Sequence, residues 1–391
     1  MRALFTTMLA LVLTASIHAK QEDVTSKITN ADFKAGLEGW SLEGTHADSL
    51  VLLTPDNAPS TLYSKADFNL CQTLTGLEDG IYMVQVSAIA GEFPLNRPNY
   101  NSYLYANENA IPIMNTTDDL LPKDKAIDQE NCFITPETEG TDSWLNLAYY
   151  IPHSQMGACY AFKGGRYVNT VVTEVKGGHL TVGIQSKPMM RTDKMVFGNM
   201  KLYYLGSIAE AESEIDQAMG NMIRNMERTA NTDIMSTPYY INYDKSLRSE
   251  VSALVAKMKK ASTPAEKLDM LQEGKRMLDR VYKNQMAYWT RKIETDNAHI
   301  WFTFYEDDDT AFEEAYKEFQ WKYMLGELDL ENDTEFNAVK ATVTWAEFTA
   351  TGIDAPLTTS TSTLYDLQGR KIEAKPGKGI YIKDGKKYMM K

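Results

Sequence analysis

Histidine and cysteine, which most often carry metal or nucleophilic chemistry, are scarce: five and three in 391 residues. Beyond the first twenty residues His46, His153, His179 and His299 stand singly, which excludes a paired-imidazole metal motif. The chain also lacks a Gly-x-Ser-x-Gly elbow and a Gly-rich phosphate loop. Basic residues are outnumbered 40 to 53, for a net charge of −13; a general nucleic-acid binder needs clustered Lys and Arg and is excluded. Long apolar runs are missing after residue 19, so no later segment reaches the ~20 residues of a membrane span. Acids are plentiful, but Glu306–Asp309 and Asp329–Glu335 lack the central Gly of an EF-hand loop. The first reads as a solvated helix start, where acids favour the positive end of the dipole, and the second as a loop entering a helix. No metal and no cofactor is expected.

Residues 1–19 read as a secretory signal: Arg2, a largely apolar stretch, and a small-residue end at Ala19. The chain's 43% hydrophobic and 10% aromatic composition is that of a globular protein, long enough for two or three domains. Cys71, Cys132 and Cys159 allow one disulfide in an exported protein. Cys132 and Cys159, which flank one loop-rich stretch, are the expected pair, and three buried thiols are the alternative.

Short apolar segments recur between turn signals from residue 25 to 206: Leu50–Leu53, Phe68–Leu74, Ile81–Ala90, Tyr103–Tyr105. This spacing predicts an all-β sandwich. Its last part alternates β-branched and polar residues over Val168–Glu174. Gly177-Gly178 then predicts a tight hairpin into Leu180–Ile184, and a final strand runs over Met195–Leu205. Between Glu92 and Gly165 lies a long Asn-, Asp-, Pro- and Tyr-rich insertion, and a loop of that length usually serves a site. From Ser207 the apolar period becomes helical. Ser207–Glu210 reads as a capping box, Asp244 as a second cap, and Thr263-Pro264-Ala265-Glu266 as the start of a long helix. Further helices are expected near Asp309 or Thr310 and near Asn332 or Asp333. Narrow apolar stripes predict that these helices pack as an antiparallel bundle over 207–350. Residues 351–363 are a Thr- and Ser-rich linker. Residues 364–391 carry eight basic residues against three acids, a net +5, and Asp384-Gly385 predicts a two-residue hairpin there.

The motifs Ile28-Thr29-Asn30-Ala31-Asp32-Phe33, Gly39-Trp40 and Gly80-Ile81-Tyr82, with the closing strand, resemble the galactose-binding-like β-sandwich family of carbohydrate-binding modules. The resemblance implies a jelly-roll fold and glycan binding. Relatives often hold a structural calcium with a Glu after the Phe and an Asp in the closing strand. This chain has Lys34 and Gly198 there, and Lys194 where a Trp is usual, so no calcium is implied. Tyr365-Asp366-Leu367-Gln368-Gly369-Arg370 and Gly379-Ile380-Tyr381-Ile382 resemble the C-terminal sorting domains of type IX secretion, which implies export machinery as a partner.

The expected architecture is therefore multidomain β + α: signal 1–19, sandwich 25–206, helical bundle 207–350, linker 351–363 and β-hairpin tail 364–391. The expected function is non-catalytic glycan binding by a secreted or cell-surface protein. Arg97, Asn99, Tyr100, Asn101, Trp144, Tyr149 and Tyr150 of the insertion are the candidate ligand residues, because rings stack on sugar C–H faces and polar groups bond the hydroxyls. The alternatives are an adhesin binding another surface protein through its aromatic-rich helices, and a glycan-acting hydrolase. The acid inventory does not exclude a hydrolase, but the chain leaves no stretch of barrel size for one.

Overall fold

The computed structural model describes residues 21–92, 102–116, 118–119, 121–122, 149–150, 152, 154–188, 193–231, 242–305 and 310–342, and the tail strands of 364–390. In chain order the first strands are β1 (Glu22–Asp23), β2 (Ser41–Glu43), β3 (Val51–Leu53), β4 (Thr61–Ser64), β5 (Phe68–Thr75) and β6 (Gly80–Glu92). There follow β7 (Tyr103–Ala106), β8 (Asn109–Pro112), β9 (Leu121–Pro122), β10 (Tyr149–Tyr150) and helix α1 (Gln155–Lys163). The last sandwich strands are β11 (Val168–Val175), β12 (His179–Ser186) and β13 (Asp193–Gly206). They form two antiparallel sheets: a six-stranded one ordered β11-β6-β13-β4-β3 with β1 on β13, and a five-stranded one ordered β2-β5-β12-β7-β8.

The core lies between the sheets because alternate residues turn inward. Val84, Val86 and Ala88 of one sheet meet Leu104, Val182 and Ile184 of the other. One end is plugged by aromatics: Phe33 lies 5.1 Å from Trp40 and 5.4 Å from Phe197, edge to face. The Asn30 motif builds that plug. Asn30 and Phe33 take left-handed backbone angles, and the Asn30 amide bonds the Gly36 carbonyl and the Ala35 N–H. Its residues thus have a structural use. Gly198 has one too: an added Cβ would sit 2.3 Å from the Ser60 carbonyl oxygen, so the position where the resemblance leads one to expect Asp admits no side chain.

Three expectations are corrected. Val168–Val175 and His179–Ser186 do not form a hairpin: β11 pairs with β6, whereas β12 pairs with β5 and β7. Gly177 and Gly178, both at positive φ, carry the chain from one sheet to the other. The insertion, read as poor in regular structure, contains the hairpin β7–β8, turned at Asn107 with φ 50°, and helix α1, capped by Ser154. The Cys132–Cys159 disulfide is not formed. Cys159 is a free, fully buried thiol in hydrogen-bond contact with Thr61 Oγ1 at 3.2 Å.

Five further helices follow: α2 (Glu212–Asn231), α3 (Lys245–Met258), α4 (Pro264–Tyr305), α5 (Thr310–Leu325) and α6 (Thr334–Thr342). The expected caps are present at α3 and α4. Asp244 accepts from Ser246 N–H, and Thr263 and Glu266 exchange bonds in a reciprocal box. At Ser207 only half the box forms. Glu210 accepts from both the N–H and the hydroxyl of Ser207, and the helix begins five residues later.

The chain forms two compact units, the described residues of Met1–Thr232 with Ser249–Tyr282, and those of Asp233–Arg248 with Lys283–Lys391. In the first, α2 lies against β8 and β11, and Arg228 pairs with Asp118. In the second, Tyr288, Phe312, Phe319, Tyr323 and Phe336 make an aromatic core. Arg291 holds Asp333 through two bonds of 2.8 and 2.9 Å. The tail pairs as β14 (Leu364–Tyr365), β15 (Lys371–Ile372), β16 (Gly379–Lys383) and β17 (Lys386–Met390), with Lys383 opposite Lys386; Asp384 and Gly385 lie outside the described residues. No described helix is long and apolar enough to cross a membrane.

Candidate functional site

The outward face of the five-stranded sheet follows from its register. Across β2, β5, β12, β7 and β8 one row reads Ser41, Cys71, Gly183, Tyr105, Ala110, and the next Glu43, Asn69, Gln185, Tyr103, Pro112. Glycine at 183 matters. A Cβ there would fall 2.3 Å from Tyr105 Cζ, so only a bare backbone lets the Tyr105 ring lie down across β12. Flattened in this way, the ring places its hydroxyl 2.7 Å from Asn69 Oδ1, to which it donates. Burial, then the neighbouring Cys71, pushes the Tyr105 hydroxyl pKa well up, so it remains a donor at any physiological pH.

The first half of α4 crosses this face. Tyr103, fully buried, supports it: Lys275 Nζ sits 4.4 Å from the Tyr103 ring centroid and is also paired with Asp279 one turn on. Lys187 stands over Tyr282 at 5.8 Å. Between helix and sheet remains a groove of about 510 Å³, within the ~300–1,000 Å³ usual for small-ligand sites. Tyr105, Asn69 and Gln185 form its floor, Gln272, Lys275 and Arg276 its helical wall, and Asn107 and Glu108 one end. The side chains of Gln185, Gln272 and Arg276 make no hydrogen bond or ion pair among the described residues.

Chemically this is a ring face with amide donors and acceptors around it. One side of Tyr105 is covered by Gly183, and the groove lies over the ring. Amides can both give and accept, as sugar hydroxyls require. The described residues include no group of three or more His, Cys, Asp or Glu able to hold a metal ion.

Of the ligand residues expected from sequence, Arg97, Asn99, Tyr100, Asn101 and Trp144 lie outside the described residues. Tyr149 and Tyr150 form β10, paired with Pro122 and Leu121 of β9. The groove residues escaped sequence reasoning because each occupies the polar half of an alternating strand, which reads as a solvated face. The available signal was Gly183, a glycine inside a strand, which marks a close approach.

No protein-family model matches the chain, and no curated protein matches it. Among solved structures it is similar to the carbohydrate-binding module TmCBM61 in complex with β-1,4-galactotriose, at 9% identity over 46% of this chain and 97% of that one, TM-score 0.24. It is also similar to the Stig cyclase Fisc of Fischerella sp. TAU, at 13% identity over 48% and 99%, TM-score 0.25. A third similarity is to the enzymatically active domain of tailspike protein 4 of bacteriophage CBA120, at 13% identity over 45% and 21%, TM-score 0.21.

Proposed function

We propose that the protein is an exported, cell-surface, non-catalytic glycan-binding protein whose sugar site is the groove between the five-stranded sheet and α4. The observation that carries this reading is Tyr105, held flat over Gly183 and flanked by Asn69, Gln185 and Gln272. A sugar ring stacks its C–H face on Tyr105 and bonds its hydroxyls to the amides. Each such bond contributes about 0.5–1.5 kcal/mol net. The sequence resemblance to carbohydrate-binding modules supports the same class of ligand. The signal-like residues 1–19 and the sorting-like tail support export.

Binding of the full chain to a panel of plant, host and microbial polysaccharides tests the reading, with Tyr105→Ala and Trp144→Ala as arms. Loss in Tyr105→Ala alone places the site in the groove, and loss in Trp144→Ala alone returns it to the insertion. Glu108 and Asp279 line the same groove, so release of reducing ends from a bound glycan, abolished by Glu108→Gln, would replace the non-catalytic reading with a hydrolase.

Trp321 favours a second reading. It is 56% exposed on α5, with Met324 exposed one turn on, as an adhesin contact with another surface protein requires.

A further inference from the structure

The outer face of the six-stranded sheet carries a second hollow, separate from the groove under α4. It measures about 230 Å³ and is lined by Gln85 and Ser87 of β6, Asn199 and Lys201 of β13, and Lys163 at the end of α1. A bulge shapes it. The pairing of β13 with β6 shifts between Gly198 and Lys201, and Asn199 takes a φ of 52°. Gly198, pressed against the Ser60 carbonyl, keeps the bulge where it is. Bulges of this kind re-aim side chains beside binding sites.

Ser87 is the informative residue. It is only 4% exposed as a residue, but its hydroxyl is not among the buried polar atoms left without a partner, so it opens into the hollow and is available to a ligand there. Lys163 and Lys201 make no ion pair among the described residues; Asp23 is the acid whose carboxyl feels the Lys201 charge. Two ammonium groups without an ion pair among the described residues, lining the same hollow as a hydroxyl and two amides, form a site that suits an anion.

We propose that this hollow binds the carboxylate of a single acidic sugar unit, with Lys163 and Lys201 on the charge and Ser87, Gln85 and Asn199 on the ring hydroxyls. The volume suits one sugar ring. The chain's net charge of −13 opposes a long polyanion, each of whose charges meets the acids within a Debye length of about 8–10 Å. One terminal carboxylate meets chiefly the two local lysines, with Asp23 as the acid that also feels Lys201.

The test is calorimetric titration of the full chain, at low ionic strength, with glucuronate and galacturonate, with their neutral counterparts glucose and galactose, and with inorganic sulfate. The expected result is saturable uronate binding that the neutral sugars and sulfate match no closer than about tenfold. Lys163→Gln and Lys201→Gln each weaken the uronate by about fivefold or more, with an unchanged circular dichroism spectrum. Lys176→Gln, which alters a lysine already paired with Glu174, leaves binding unchanged. So does Tyr105→Ala, which separates this site from the groove. The proposal is overturned by no uronate binding, by equal affinity in Lys163→Gln and Lys201→Gln, by loss in Tyr105→Ala, or by sulfate binding as tightly as the uronates.

Discussion

The Tyr105 ring crosses Gly183 and donates its hydroxyl to Asn69 at 2.7 Å, so one side chain of β7 bridges β12 to reach β5. Gly183→Ala cannot keep this arrangement, because its Cβ would stand 2.3 Å from Tyr105 Cζ. The ring is a movable side-chain end, so the variant folds with Tyr105 displaced. Glycan binding in the groove is lost, while thermal unfolding shifts by only a few degrees, corresponding to about 1 kcal/mol for the broken hydrogen bond. Unchanged affinity in Gly183→Ala would show that the flattened ring is not the sugar platform.

Gly198 meets backbone, which cannot move aside as a side chain can. Gly198→Asp, which introduces the carboxylate that the resemblance to carbohydrate-binding modules leads one to expect there, overpacks against Ser60 and costs about 2 kcal/mol or more. Urea unfolding measures this loss, and added calcium does not restore it. Recovery in calcium would mean that the closing strand can adopt a calcium-binding geometry.

The buried Cys159 thiol, its pKa raised by burial, stays unmodified by iodoacetamide until the chain is denatured. Cys71, half-exposed on the outer sheet face, is alkylated in the folded protein. Peptide mass spectrometry reads both. A Cys132–Cys159 cross-linked peptide from the oxidised protein would contradict the free thiol.

In the second unit two aspartates tie stability to pH. Asp333 is held below its ordinary value first by its bonds with Arg291. Asp329 is brought to about 2 by Thr334 and then Asn332. Depressed carboxyl pKa values stabilise the fold above the ordinary Asp value of about 4, and that contribution is lost as the pH falls through the folded values. Arg291→Ala removes one partner. The pair is about a quarter to a third exposed, so screening limits the cost at pH 7 to about 1 kcal/mol. The difference from the parent shrinks toward pH 2.5. A difference that stays constant over this range, read by urea midpoints, would assign the loss to packing of Arg291 over Phe336.

Much of the fold was legible locally. The alternation of Val168–Glu174 and the Asp244 and Thr263 caps all name their own geometry. What local signals cannot name is the partner. Gly177-Gly178 turns the chain equally well within one sheet or between two, and only the competition among β5, β6 and β7 for neighbours decides. The groove was illegible for a related reason. Asn69, Tyr105, Gln185 and Gln272 come from three strands and a helix more than 200 positions apart, and each by itself looks like an ordinary solvated residue. Sequence reasoning therefore went to the aromatic-rich insertion, where such residues crowd together in the chain.

Calorimetric titration of the full chain with a glycan that it retains, beside Tyr105→Ala and Gln272→Ala, tests the sugar site under α4. Tyr105 supplies the platform from the sheet and Gln272 an amide from the helix. If the account is right, both variants keep the parent's circular dichroism spectrum and each loses about tenfold or more in affinity, about 1.4 kcal/mol. Full affinity in both variants would contradict it.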